Sequence, residues 1–310
     1  MDPEFLSRIR DRRVFPPMPQ VAMEVVRLCD RGEAPSQEVA RWIGRDPALA
    51  ARFVRMANSA TLGVRRQIGT VSQAVNILGL RTVRHITLAS AVAAGVGDRD
   101  LPGFDRQAFW QDSVVSGLVA RALLFLAKSP HAEEAFLAGL VRDTGIAGLA
   151  RALGKTYAEI LEEVEGSDLD LGDVEAARLG GTHADVSAML LEEWGFPVSA
   201  VVAVRHHVAP PKPSPSEGAS SSLTAVLFAT EGLGRLFRAP TDRGIAQLRS
   251  RVRDTLGIGD ETIRKLLGYV EENLAEMCEA LGVEAKNLEA FRANRAVIEQ
   301  RLDLPIESPP

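Results

Sequence analysis

Apolar side chains recur at helical spacing along almost the whole of this chain, and no segment keeps the strict alternation of a half-buried strand. Val21, Val25 and Leu28 fall at i, i+4 and i+7, so a helix entered through Pro16, Pro17 and Pro19 has one apolar face. Ser36 is placed to cap a second helix. Asp46-Pro47 marks a third, because Asp caps free amides and proline is preorganised at the first helical position. That helix carries Leu49, Phe53 and Met56 and reaches Asn58-Ser59, where Asn58 reads as a turn former. Thr70 and Gln73 spell a capping box for a helix that Gly79 ends, and another runs from about Thr82 into Ala94.

The run Gly95–Gly103 is rich in breakers and sets the boundary between two helical subdomains. Beyond it the pattern predicts helices over 106–126, 133–153, 157–166, 171–194 with a break near Gly180-Gly181, 198–207, 223–237 and 260–281, then a last helix and a Pro-rich tail. Pro210, Pro211, Pro213 and Pro215 cannot continue a helix, so residues 209–222 are expected to form a mobile surface loop. The expected organisation is all-α: residues 1–5 as translated cloning sites, an N-terminal helical subdomain over 6–97, a linker over 98–104, and a second helical bundle over 105–305.

Composition narrows the function classes. Hydrophobic content of 46% and charged content of 25% are those of an ordinary soluble globular protein. A net charge of −5 supplies no global field for nucleic acid or an anionic membrane. Cys29 and Cys278 are too few for a disulfide framework, no secretory signal opens the chain, and the longest apolar stretch, Ile86 to Val96, is far short of the ~18 residues of a membrane span. The expectation is a cytoplasmic protein without a membrane partner. Arg65, Arg66, Arg81 and Arg84 around Gly79 could make a basic patch on a helix-turn-helix, but two helices joined by glycine are routine in any all-α domain, and nucleic acid is disfavoured. Trp42, Trp110 and Trp194 read as core packing residues. No Gly-rich phosphate loop, nucleophile elbow or Cys-His pair rises above chance.

Four elements in order carry a family resemblance: Phe15-Pro16-Pro17-Met18-Pro19, Arg45-Asp46-Pro47-Ala48-Leu49, Met56-Ala57-Asn58-Ser59-Ala60, and Gln73 to Gly79. Phe109-Trp110, Phe136 to Leu140, Trp194-Gly195-Phe196-Pro197 and His206-His207 continue it, and the chain resembles the HDOD proteins from about Phe15 to Val283. The resemblance implies a fold similar to that of the HD phosphohydrolases, in which a His, a His-Asp pair and a later Asp hold one or two metals. It also implies that these ligands are degraded and that the module relays signals in two-component and cyclic-dinucleotide systems.

Position by position, the first His is Asp112, the His-Asp pair is Arg142-Asp143, and the last Asp is lost at Thr230 or shifted to Glu231. Arg142 puts a permanent cation where an imidazole would ligate. Asp143 remains, and His183, His206 and His207 match further ligands of the two-metal HD-GYP relatives. Two readings stay open. In one, Arg142 pairs with Asp143 or Asp112 and the histidines form hydrogen bonds in a semi-buried polar core. In the other, Asp143, His183, His206 and His207, with Asp112 and Glu231 near, hold Fe, Mn, Zn or Ni.

The preferred expectation is a non-catalytic regulatory module without a cofactor, acting through a signalling protein partner or a ligand, in a groove between the subdomains near Gly95–Gly103. The alternatives are a metal-dependent phosphohydrolase acting on a nucleotide or cyclic dinucleotide, and a DNA-binding regulator. Self-association is left open.

Overall fold

The computed structural model describes residues 5, 7, 9–10, 15–59, 67–97, 100–165, 167, 169–209, 218–285 and 287–302. Among them the secondary structure is helical, without strands. The chain divides into two compact units.

The first unit takes in Phe15–Asp98 and Ala275–Glu284. Its helices α1 (Gln20–Asp30), α2 (Ser36–Ile43) and α3 (Pro47–Ala57) all pack on α4 (Val71–Val96). Val25, Leu28, Val39, Ile43, Phe53 and Leu88 are buried there, on the faces the spacing marks. Asp46 Oδ1 accepts the Ala48 and Leu49 amides at 3.0 Å each, so this cap forms as expected. Two caps differ. Ser36 is itself the first helical residue, with Pro35 at the N-cap and no side-chain bond. Thr70 accepts the Gln73 amide at 3.3 Å, but the Gln73 carboxamide accepts from Gly69 rather than from Thr70, which leaves half a capping box. Gly79 kinks α4 with φ 74° and ψ 158°, a region essentially closed to residues with a Cβ. Asn58 donates to Val54 O and Ile68 O and accepts from Ile68 N, each at 2.8 Å, tying the end of α3 to the chain that enters α4.

Only half of the expected basic patch falls among the described residues. Arg84 is paired with Asp30 at 2.6 Å, Arg81 is exposed, and Arg65 and Arg66 lie outside the described residues. Cys29 and Cys278 are buried free thiols, and burial pushes them up to about 11 and about 12.

The second unit holds α5 (Arg106–Leu126), α6 (Ala132–Val141), α7 (Thr144–Leu153), α8 (Lys155–Val164), α9 (Leu171–Leu179), α10 (His183–Glu193), α11 (Val198–Arg205), α12 (Gly218–Ala229), α13 (Leu233–Arg238) and α14 (Asp242–Leu256). α15 (Asp260–Leu281) up to Leu274 and α16 (Leu288–Leu302) complete it. α5 packs on α6, α7 on α10, and α12 on α5, α6 and α11. Of the described helices, α5 alone is long and apolar enough to cross a membrane, but 72% of that stretch is buried inside the protein, as befits a core helix. Its charged residues, among them Asp112, hide this apolar stretch from a search for uninterrupted runs.

Several boundaries differ from expectation. The helix expected over 133–153 breaks at Arg142-Asp143, and that over 223–237 breaks at Thr230–Gly232. Residues 218–222 of the expected loop are helical, while 210–217 lie outside the described residues. α14 was not anticipated. Phe5 and Ile9 are each only 2% exposed and group with the second unit, whereas residues 6–97 were expected to form the N-terminal subdomain.

Candidate functional site

The breaks converge. The α6–α7 junction presents Arg142 and Asp143, the first turn of α10 presents His183, the residues after α11 present His207, and the α12–α13 break presents Thr230 and Glu231. α10 is entered through a full capping box: Thr182 Oγ1 accepts the Asp185 amide, and Asp185 Oδ2 accepts the Thr182 amide at 3.0 Å. α7 approaches α10 so closely that a Cβ on Gly145 would lie 2.0 Å from the His183 carbonyl oxygen. Ser187 Oγ accepts the Gly145 amide at 2.7 Å and locks the contact. Only glycine there lets Asp143 reach His183.

Asp143, His183, His207 and Glu231 each offer a ligand atom, and these atoms all lie within 4.8 Å of one another. Asp143 Oδ1 is 3.2 Å from His207 Nε2 and 3.5 Å from His183 Nε2, and the two Nε2 atoms are 3.3 Å apart. Glu231 Oε2 is 3.5 Å from His207 Nε2. The outer nitrogens are already used. His207 Nδ1 sits 2.6 Å from the Val204 carbonyl oxygen, which can only accept, so the proton is on Nδ1 and Nε2 faces inward. His183 Nδ1 is 2.7 Å from Glu175 Oε2, which also accepts the His183 amide at 2.7 Å, and Tyr157 donates to Glu175 Oε1.

Arg142 is 1% exposed. It donates to Leu227 O at 2.8 Å, to Thr230 O at 3.1 Å and to Thr230 Oγ1 at 3.3 Å. Its other edges face Asp143 Oδ2 at 3.3 Å and Glu231 Oε2 at 3.4 Å. The charges follow this layout. Burial opposes ionisation of Asp143, but the Arg142 guanidinium and the hydrogen bond from His183 hold its carboxyl well below the usual range. Burial likewise opposes charging His183, yet the Glu175 and Asp143 carboxylates keep it well above the ordinary imidazole range. Burial and the neighbouring Glu175 carboxylate push Tyr157 well upward.

Two expected members are elsewhere. Asp112 is drawn out of the cluster by Arg238, whose NH2 is 2.9 Å away, and burial raises its carboxyl despite that cation. His206 closes α11 as its C-cap and is not part of the four-residue group. Glu175 and Tyr157 were not foreseen: Glu175 lies on α9 beside Asp173, where acidic residues in a helical pattern signal a solvated face, yet it is fully buried. A cavity of about 240 Å³ adjoins the cluster, lined by Phe104, Phe109, Asp112, Asp143, Arg235 and Arg238 among others, all within the second unit.

The metal that the resemblance implies can be tested against these residues. By composition they fit: two imidazole nitrogens and two carboxylates suit Zn, Fe, Mn or Ni, and Glu231 Oε2 is buried without a hydrogen-bond partner. By charge they do not. Both carboxylates that would neutralise a divalent ion already face a permanent cation at 3.3–3.4 Å. A unit charge pair at ~4 Å and an effective dielectric of ~20 interacts by about 4 kcal/mol, and a divalent ion doubles that repulsion.

The comparisons agree with this architecture. The HDOD domain model matches residues 15–210. An uncharacterized protein of Treponema pallidum (strain Nichols) is 26% identical over 213 residues, covering 62% of this chain and 37% of that protein. A candidate signal transduction protein from Marinobacter aquaeolei VT8 superposes with TM-score 0.64 at 24% identity over 87% of this chain and 59% of that one. A candidate phosphohydrolase from Shewanella amazonensis SB2B superposes with TM-score 0.61 at 21% identity over 97% and 96% of the two chains. This chain thus spans well under two thirds of the Treponema and Marinobacter proteins. The family match over residues 15–210 and the all-helical fold lead to one conclusion: the chain belongs to the HDOD family.

Proposed function

We propose that this protein is a non-catalytic regulatory module that acts by binding a signalling partner or ligand. The observation that carries this reading is the buried Arg142, which engages both carboxylates of the cluster and two backbone carbonyls. Hydrolysis of a phosphoester by an HD-type site needs metal to polarise phosphate and to generate hydroxide from bound water. A guanidinium can neutralise phosphate charge, but it cannot bind water and generate hydroxide from it. The name of the Marinobacter relative is consistent with a signalling role, and the cavity beside Asp143 offers a ligand a mixed aromatic and charged wall. Input or output then comes from a two-component or cyclic-dinucleotide partner. Arg84, engaged by Asp30, weakens the reading as a DNA-binding regulator.

The second reading, a metal-dependent phosphohydrolase, is favoured by the four-residue donor group. Phosphodiesterase and phosphatase assays with cyclic dinucleotides and nucleotides across Mn, Fe and Mg separate the two. No turnover above buffer is expected. Turnover that Asp143→Ala abolishes would replace the regulatory reading with the enzymatic one.

A further inference from the structure

We infer that Arg142 is a built-in substitute for a metal ion, and that taking its charge away turns Asp143, His183, His207 and Glu231 into a working divalent-cation site. This rests on the non-catalytic reading above and specifies what maintains it.

The guanidinium is anchored from behind. Its shortest bond, 2.8 Å, goes to Leu227 O near the C-terminal end of α12, and a second, 3.1 Å, to Thr230 O in the break that follows. Carbonyls at a helix C-terminus lack intrahelical partners and carry partial negative charge, so they suit a cation. Towards the carboxylates the contacts are longer, 3.3 and 3.4 Å, against roughly 2.7–2.9 Å for a tight charge-assisted bond. Arg142 therefore balances Asp143 and Glu231 electrostatically and leaves their ligating capacity unspent. Asp143 shows the division of labour: Oδ2 faces the guanidinium, and Oδ1 faces the two imidazoles. Glu231 Oε2 is buried without a hydrogen bond and meets the guanidinium only at 3.4 Å.

Both histidines are held for ligation independently of Arg142, His183 through Glu175 and His207 through Val204 O. Without Arg142 the site keeps its four donor residues and its orienting bonds but loses the guanidinium that balances two buried carboxylates, a state that a divalent ion relieves.

The test is elemental analysis after dialysis against Zn²⁺ or Mn²⁺ and desalting, paired with thermal melts with and without the ion. Wild type and Arg142→Lys are expected to retain only traces and to melt unchanged. Arg142→His and Arg142→Ala are expected to retain stoichiometric metal and to melt higher with the ion, and adding Asp143→Asn should remove both effects. Should the Arg142 variants come out unfolded, refolding with and without Mn²⁺ decides: rescue by the ion alone supports the inference, and no rescue overturns it. A folded Arg142→His without metal also overturns it. Stoichiometric metal in wild type without turnover overturns the inference and leaves the regulatory reading standing; turnover by wild type overturns that reading itself.

Discussion

Tyr157, Glu175 and His183 form a chain of fully or nearly fully buried polar groups in which each member satisfies the next. Glu175 accepts from the Tyr157 hydroxyl on one oxygen and from the His183 ring and amide on the other. Such a network is stable only when complete, because a stranded buried acceptor bears its full desolvation cost. Tyr157→Phe should therefore lower stability by about 1–3 kcal/mol in urea unfolding, although it removes only one oxygen. A loss within error would mean that Glu175 finds another donor. At this scale the sequence was partly legible. Arg142-Asp143 and Thr230-Glu231 could be located by motif, whereas Glu175 could not, because nothing in a single α9 glutamate says that its carboxylate turns inward.

At the level of helices, caps and close crossings set the boundaries. Asp46→Ala removes two amide acceptors at the start of α3 and should cost about 1 kcal/mol, read as a shifted urea midpoint at unchanged slope. Gly145→Ala should cost more, about 3 kcal/mol, because the atom that a Cβ would strike is the backbone carbonyl of His183 and cannot rotate away. Chemical-shift changes at His183 and Ser187 would report the separation of α7 from α10, and a wild-type-like melt would refute the close contact. A helix start such as Asp46-Pro47 follows from local chemistry. The breaks at Arg142-Asp143 and Thr230–Gly232 do not, since apolar spacing continues across them and contains no proline.

The response of the whole molecule to pH gathers the buried charges. Burial opposes ionisation of Asp170, but Arg251 bonds to it and keeps it low, as Arg142 and His183 do for Asp143. Both groups thus add stability that is complete above the unfolded value of about 4 and is lost as pH falls through their folded values. His183 has the opposite sign: raised by Glu175 and Asp143, it adds stability that is complete below about 6.5 and disappears as pH rises through its folded value. Melting temperature should therefore fall towards strong acid and also decline on the alkaline side. Replacing His183 with Gln should flatten the alkaline decline, and an unchanged slope would assign that decline to other groups.

What the sequence determined by itself was the all-α class, most helix spans and the family resemblance, because periodicity, capping chemistry and motif order are local properties. Only the tertiary structure decided which residues meet. It brought Glu231 and His207 to Asp143, sent Asp112 to Arg238, left His206 out of the four-residue group, and buried Phe5. The physical reason is that burial and charge pairing depend on helices distant in sequence. Arg142 is tolerable inside the protein only because Leu227, Thr230 and Glu231, some eighty residues further along the chain, are folded against it.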